Sequence, residues 1–153
     1  MPIQNTIGSA YASGMVAAAY PGMIAETQFK DVYSKAVETA AVAFGLAVGA
    51  GTADGSVKLG GAGFEGITVA DKSRDADQFD VGEIAGVMKK GTIWVTASTD
   101  VAPTDDVTFT AATGAIGKAL ATTITGAKFL ATATSGNLVP VYLPGDLGST
   151  ATV

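Results

Sequence analysis

From Glu26 onward the chain is a succession of short apolar or alternating runs, each closed by Gly, Asp or Ser. Runs of about four to eight residues, with turn signals roughly every eight to twelve, are the spacing of strands in a barrel or sandwich. Phe29-Lys30-Asp31-Val32-Tyr33 alternates, and Val42 to Val48 runs into Gly49-Ala50-Gly51. Val57-Lys58-Leu59 and Phe64 to Ala70 flank a glycine cluster, and Val81 to Met88 follows. Thr92-Ile93-Trp94-Val95-Thr96 alternates strictly. After Val107-Thr108-Phe109-Thr110, the runs Phe129–Thr134 and Leu138–Leu143 flank Ser135-Gly136-Asn137, read as a hairpin connection with glycine where positive φ is wanted. The expected fold is all-β, a small single-domain β-barrel or sandwich-like body with an extended N-terminal arm.

One stretch competes with that reading. Val37, Ala40, Ala41, Phe44, Ala47 and Val48 also match a helical repeat, and alanine is the best helix former. Gly45 and the nearby valines oppose a helix. Residues 36–48 therefore stand as either a short helix or two strands, with strands favoured by the β pattern around them.

Residues 1–24 read as an arm of Ala, Ser, Gly, Thr and Tyr without sustained period, closing on the turn signal Tyr20-Pro21-Gly22. Such a segment buries little by itself, so it is either a loose terminus or a tether to a neighbour. As a tether its amphipathic anchors would be Tyr11, Tyr20, Pro21 and Met23. The body is placed at 25–144, and 145–153 reads as a flexible C-terminal tail.

Composition narrows the chemistry. The 153 residues include no Cys and no His, which excludes the usual serine and cysteine triads, disulfides, Cys/His zinc sites and thiolate-held clusters. Only 15% of residues are charged, against roughly 25% in typical soluble domains, a proportion that suits either a subunit covered by neighbours or a lone soluble domain rich in Ala and Gly. The net charge of -5 repels polyanions, and Lys89-Lys90 is the one adjacent basic pair, so no nucleic-acid footprint is visible. The first 20 residues carry no basic residue and only a short apolar patch, so they do not read as a signal peptide, which needs a positively charged start. The apolar stretch at 40–50 is too short to span a membrane as a helix, so no membrane partner is expected.

The individual motifs read as structural. Gly61-Ala62-Gly63-Phe64-Glu65-Gly66 matches the dinucleotide fingerprint, but Ile67-Thr68-Val69-Ala70 continues as a strand where that site needs a helix N-terminus. It is read as a glycine turn between strands. Asp71, Asp75, Asp77 and Asp80 crowd ten positions, yet the calcium-loop pattern fails at its sixth and twelfth places. A solvated loop, its charge offset by Lys72 and Arg74, is the better reading. Asp105 and Asp106 are expected to point to opposite faces, which argues against a proton-sharing dyad. Lys89-Lys90-Gly91 reads as a polar turn before the Trp94 strand. No catalytic residue, cofactor site or metal site is assigned. Trp94, in phase with Thr92 and Thr96, is either core packing or an interface anchor.

Several short motifs also occur in a telling order. Pro21-Gly22-Met23-Ile24-Ala25 comes first, then Phe44-Gly45-x-Ala47-Val48 and Phe64-x-Gly66-Ile67-Thr68-Val69-Ala70. Val87-Met88-x-Lys90-Gly91-x-Ile93-Trp94-Val95, Phe109-Thr110-x-x-Thr113-Gly114 and Gly126-Ala127-Lys128-Phe129 follow. This succession, over about residues 20–143, resembles the structural cement, or capsid decoration, proteins of tailed bacteriophages. The resemblance implies a β-barrel-like body on the outer surface of the virion, made in the host cytoplasm. It also implies a homotrimer at three-fold or local three-fold sites that bridges neighbouring major capsid protein subunits and stabilises the expanded head.

A carbohydrate- or ligand-binding β module on a particle or cell surface is the alternative from another class. It would want clustered aromatics, whereas the eleven here are dispersed along the chain. An enzyme is not expected.

Overall fold

The computed structural model describes residues 19–26, 30–145 and 149–151, which are all-β and contain no helix. The strands are β1 (Asp31–Val37), β2 (Val42–Ala43), β3 (Ala47–Ala50), β4 (Ser56–Lys58), β5 (Ala62–Thr68) and β6 (Gln78–Phe79). They continue as β7 (Ile84–Thr96), β8 (Asp106–Phe109), β9 (Ile116–Gly117), β10 (Thr122–Phe129), β11 (Leu138–Pro144) and β12 (Ser149–Ala151).

The longest strand, β7, organises the others. Along its first half one edge pairs with β1 and the other with β5, through Val87 and Met88. β1 continues to β4 in a parallel pairing, β4 to β3 and β3 to β5, so the ring β1-β4-β3-β5-β7 closes on itself. Closure removes most of the unpaired edges that an open sheet would expose. The second half of β7 pairs with β11 from Lys90 to Thr96. From β11 the order runs through β10 and β8 to β9, and Ile116 of β9 returns to Ala97, just past the end of β7, in a parallel bridge. Two rings thus share one strand.

Two cores follow from the alternation of side chains along the shared strands. Inside the first ring lie Val37, Val48, Val57, Ala85 and Val87, joined by Val42, Phe44 and Phe79 from the small β2–β6 ribbon. Phe44 and Phe79 meet edge to face, with centroids 5.2 Å apart. Their neighbours along the same strands, Ala47 at the start of β3 and Met88 of β7, belong instead to the larger core. There they join Ile93, Val95, Phe109, Ile124, Phe129, Val139, Val141 and Leu143, all nearly or fully buried.

The ambiguous stretch at 36–48 contains no helix: it holds the end of β1, all of β2 and the start of β3, joined by turns. Thr39 and Gly45 both sit at φ +74, which no helix tolerates, so the apolar spacing there serves the strands β1 and β3 of the ring and β2 of the small ribbon. The turn expected at Lys89-Lys90-Gly91 does not form. β7 passes straight through it, with Gly91 at φ +125 where the strand leaves one ring for the other. The hairpin about Ser135-Gly136-Asn137 is longer than its sequence indicates, because β10 ends at Phe129 and Ala133 turns away to bridge Val101. Gly136, at φ +89, does occupy the expected positive-φ place.

Candidate interaction surface

The strict alternation of Thr92 to Thr96 places Ile93 and Val95 in the core and leaves Trp94 half-buried on the outer face. The residues on either side of Trp94 come from distant parts of the chain. Ile24 bridges Ile93 antiparallel, so residues 22–25 lie along the edge of β7 opposite β11. The Gly22 N–H donates to the Trp94 carbonyl (2.7 Å), the Trp94 N–H to the Met23 carbonyl (2.8 Å) and the Ala25 N–H to the Thr92 carbonyl (2.9 Å). Met23 therefore stands beside Trp94 on the outer face, since its neighbour Ile24 faces the core.

On the other side Trp94 is in register with Pro140. Phe129 pairs with the buried Val141, and the Leu130 N–H donates to the Pro140 carbonyl (2.9 Å), which puts Leu130 next in line. The result is a row across four chain segments, Met23, Trp94, Pro140 and Leu130. Tyr142 stands one row along, in register with Thr92 and Lys128. Leu130 and Tyr142 are 48% and 39% exposed. Exposed apolar side chains gathered in one place mark contact surfaces more often than single ones do.

Tyr20 and Pro21 close one end of this region. The Lys72 ammonium lies 4.5 Å from the Tyr20 ring centroid, and the Gly22 carbonyl accepts the Ala70 N–H at 2.8 Å. Beneath them Pro21, Ala43, Phe44, Lys72 and Asp77 line a cleft of about 160 Å³. Of the residues singled out as anchors, Tyr20, Pro21, Met23 and Trp94 come together here, and Tyr11 lies outside the described residues. Pro140, Leu130 and Tyr142 were missed as their companions. The in-phase placement of Pro140 and Tyr142 was visible in the sequence, but the register that brings them to Trp94 was not.

The remaining polar clusters are braces. Arg74 reaches Glu83 at 2.6 Å and Asp71 at 3.5 Å while lying over the Phe79 ring, and Lys72 reaches Asp77 at 2.9 Å. The hydrogen bond to Arg74 holds the Glu83 carboxyl below its ordinary range, and the Ser73 hydroxyl does the same to Asp71. Among the described residues no three carboxylates converge as a cation cage. Glu38 accepts the N–H groups of Thr52 (2.7 Å) and Ala53 (3.1 Å), and these backbone bonds lower its pKa to about 2. Asp105 accepts the Ala102 N–H, whereas Asp106 is in register with Lys128 on β10. The segment 61–66 is not the expected glycine turn: the chain turns at Leu59-Gly60, and Gly63 and Gly66 lie within β5, with no helix after them.

The family model described as Structural cement protein (E217 gp24/Pam3 gp6) matches residues 7–144. Among solved structures, a chain of the capsid of Myoviridae Phage XM1 shares the fold with a TM-score of 0.61 at 15% identity, over 82% of this chain and 89% of that one. The head fiber gp8.5 N base of bacteriophage phi29 aligns with a TM-score of 0.48 at 15% identity, over 76% of this chain and 95% of that one. None of the curated proteins compared matches the chain.

Proposed function

The chain is a member of the phage structural cement protein family, a structural part of the capsid, and we propose that it binds the outer surface of the expanded head and bridges neighbouring major capsid protein subunits. The family match over residues 7–144 is the observation that carries this reading. The row Met23, Trp94, Pro140 and Leu130, with Tyr142 beside it, is the capsid-facing contact in this proposal. Tyr20 and Pro21 fix its edge, and Tyr11 anchors the arm. The protein acts as a homotrimer at three-fold or local three-fold sites.

The mechanism is mass action. A protein that binds only the expanded shell stabilises that state by RT ln(1 + [L]/Kd), about 2.7 kcal/mol per site at a hundredfold excess over Kd. Packed DNA pushes outward on the shell, and clamps across subunit borders raise the force needed to part them. A trimer that engages several subunits at once makes individually weak contacts slow to release. The role needs no cofactor and no catalytic residue.

The test is the temperature at which heads lose their DNA. Decorated heads should retain it to a higher temperature than bare ones, and Trp94→Ala should lower occupancy without unfolding the protein. Equal temperatures for decorated and bare heads would rule out cementing. If a chain lacking residues 1–20 decorates as well as the full chain, the arm is no tether.

A further inference from the structure

The closed first ring has one gap. β1 pairs with β7 from Asp31 to Ala36, but on its other edge β4 joins only at Ala36 and Val37. Among the described residues, no strand pairs with the outer edge from Val32 to Lys35. The groups presented there can be identified. The Ala36 N–H turns to the Gly55 carbonyl on the β4 side, while the Val37 N–H turns to the Glu83 carbonyl on the β7 side. Alternation then places the N–H and C=O groups of Val32 and Ser34 on the open edge.

Natural proteins usually blunt such an edge with proline, charge or a covering loop, because it is a template for another strand. Here Val32 and Tyr33 are 41% and 47% exposed along it. The charges beside them are unbalanced. Lys35 and Lys89 share the single Glu65 carboxylate, at 3.9 and 3.3 Å, and Lys89 also lies 5.2 Å from the Tyr33 ring centroid. Lys90, by contrast, faces Asp31 across the ladder. A surplus positive charge therefore sits next to an unpaired strand edge in a chain whose net charge is -5.

We propose that the outer edge of Val32–Lys35 receives an extended, acidic segment of the capsid shell as an added strand. Main-chain bonds to Val32 and Ser34 would supply affinity, and a carboxylate near Lys35 and Lys89 would set the register. The inference rests on the cement reading and names a second contact for it, on the same flank of β7 as residues 22–25. Residues 1–18 fit this edge poorly as an occupant, since they contain no acidic side chain to answer the lysines.

The experiment is amide hydrogen exchange of the full chain, free and bound to expanded heads of its phage prepared without the cement protein. The Val32 and Ser34 amides should exchange freely in the isolated protein and at least tenfold more slowly on heads. Ser34→Pro removes one outward donor and leaves the β7 ladder intact, so it should weaken head binding at least tenfold with the fold retained. If that variant fails to fold, the exchange data on the unaltered chain still decide. Unchanged exchange at 32–35 on decorated heads overturns the strand addition alone, whereas a chain that binds no head overturns the cement reading with it. Equal protection by heparin in the absence of heads marks a polyanion patch and overturns the proposal.

Discussion

Gly22 and Gly45 meet backbone against backbone. A Cβ on Gly45 would stand 2.8 Å from the Gly22 nitrogen, and one on Gly22 would stand 3.0 Å from the Gly45 nitrogen. Both residues have positive φ, at +81 and +74. The contact seats residues 22–25 on β7 and so holds Met23 beside Trp94.

Gly45→Ala is therefore expected to cost about 2–4 kcal/mol, the sum of left-handed strain and overpacking against Gly22. Gly136→Ala is the control, because Gly136 is also at positive φ but nothing lies within 4 Å of its would-be Cβ. It should cost about 1 kcal/mol. Urea midpoints measure both, and equal losses would show that the close approach contributes nothing.

Phe79 is 1% exposed and holds the β2–β6 ribbon to the first core through Phe44. Phe79→Ala should destabilise by about 3–5 kcal/mol. A loss below about 1 kcal/mol in denaturant titration would mean that the ribbon is peripheral to that core.

Glu38 sets an acid-side dependence. Its pKa is depressed to about 2 from an ordinary value of 4.5, so its stabilising effect is fully present above about 4.5 and is lost as pH falls through 2. Glu38→Gln should lower the melting temperature at neutral pH and flatten the fall between pH 4.5 and 2. A variant that melts in parallel with the parent across that window would contradict the assignment.

Arg74 ties Asp71 and Glu83 together over the Phe79 ring. Arg74→Ala should speed cleavage of the 71–80 segment by an aspartate-directed protease. Arg74→Lys should fail to restore resistance, because an ammonium lacks the fork that reaches two carboxylates. Parent-like resistance in the lysine variant would leave only charge as the cause.

Local rules made the β character legible. The alternation from Thr92 to Thr96 states its own inward and outward faces, and Ile67-Thr68 after the glycines reads as strand where a dinucleotide site needs a helix, although the strand already begins at Ala62. Residues 36–48 were ambiguous because alanine and valine at that spacing satisfy both repeats, and the positive φ at Thr39 that decides between them carries no composition signal. The lysine pair at 89–90 misled for a related reason. Charged residues usually mark a turn, but on a strand crossing between two rings their side chains reach solvent while the backbone stays paired. Tyr20, Pro21, Met23 and Trp94 were each noticeable by residue type. Their gathering with Pro140 and Leu130 depends on pairings between segments some seventy and forty positions apart, which no window of the sequence contains.

The sharing of β7 bears on how the molecule fails. Val87 packs in one core and Met88, the next residue, in the other. Neither half can melt and leave its partner intact, because the strand that one would surrender is a wall of the other. Loss of structure should thus be a single cooperative event. A load pulling along β7 meets the ladders on both of its edges in shear, many bonds resisting together.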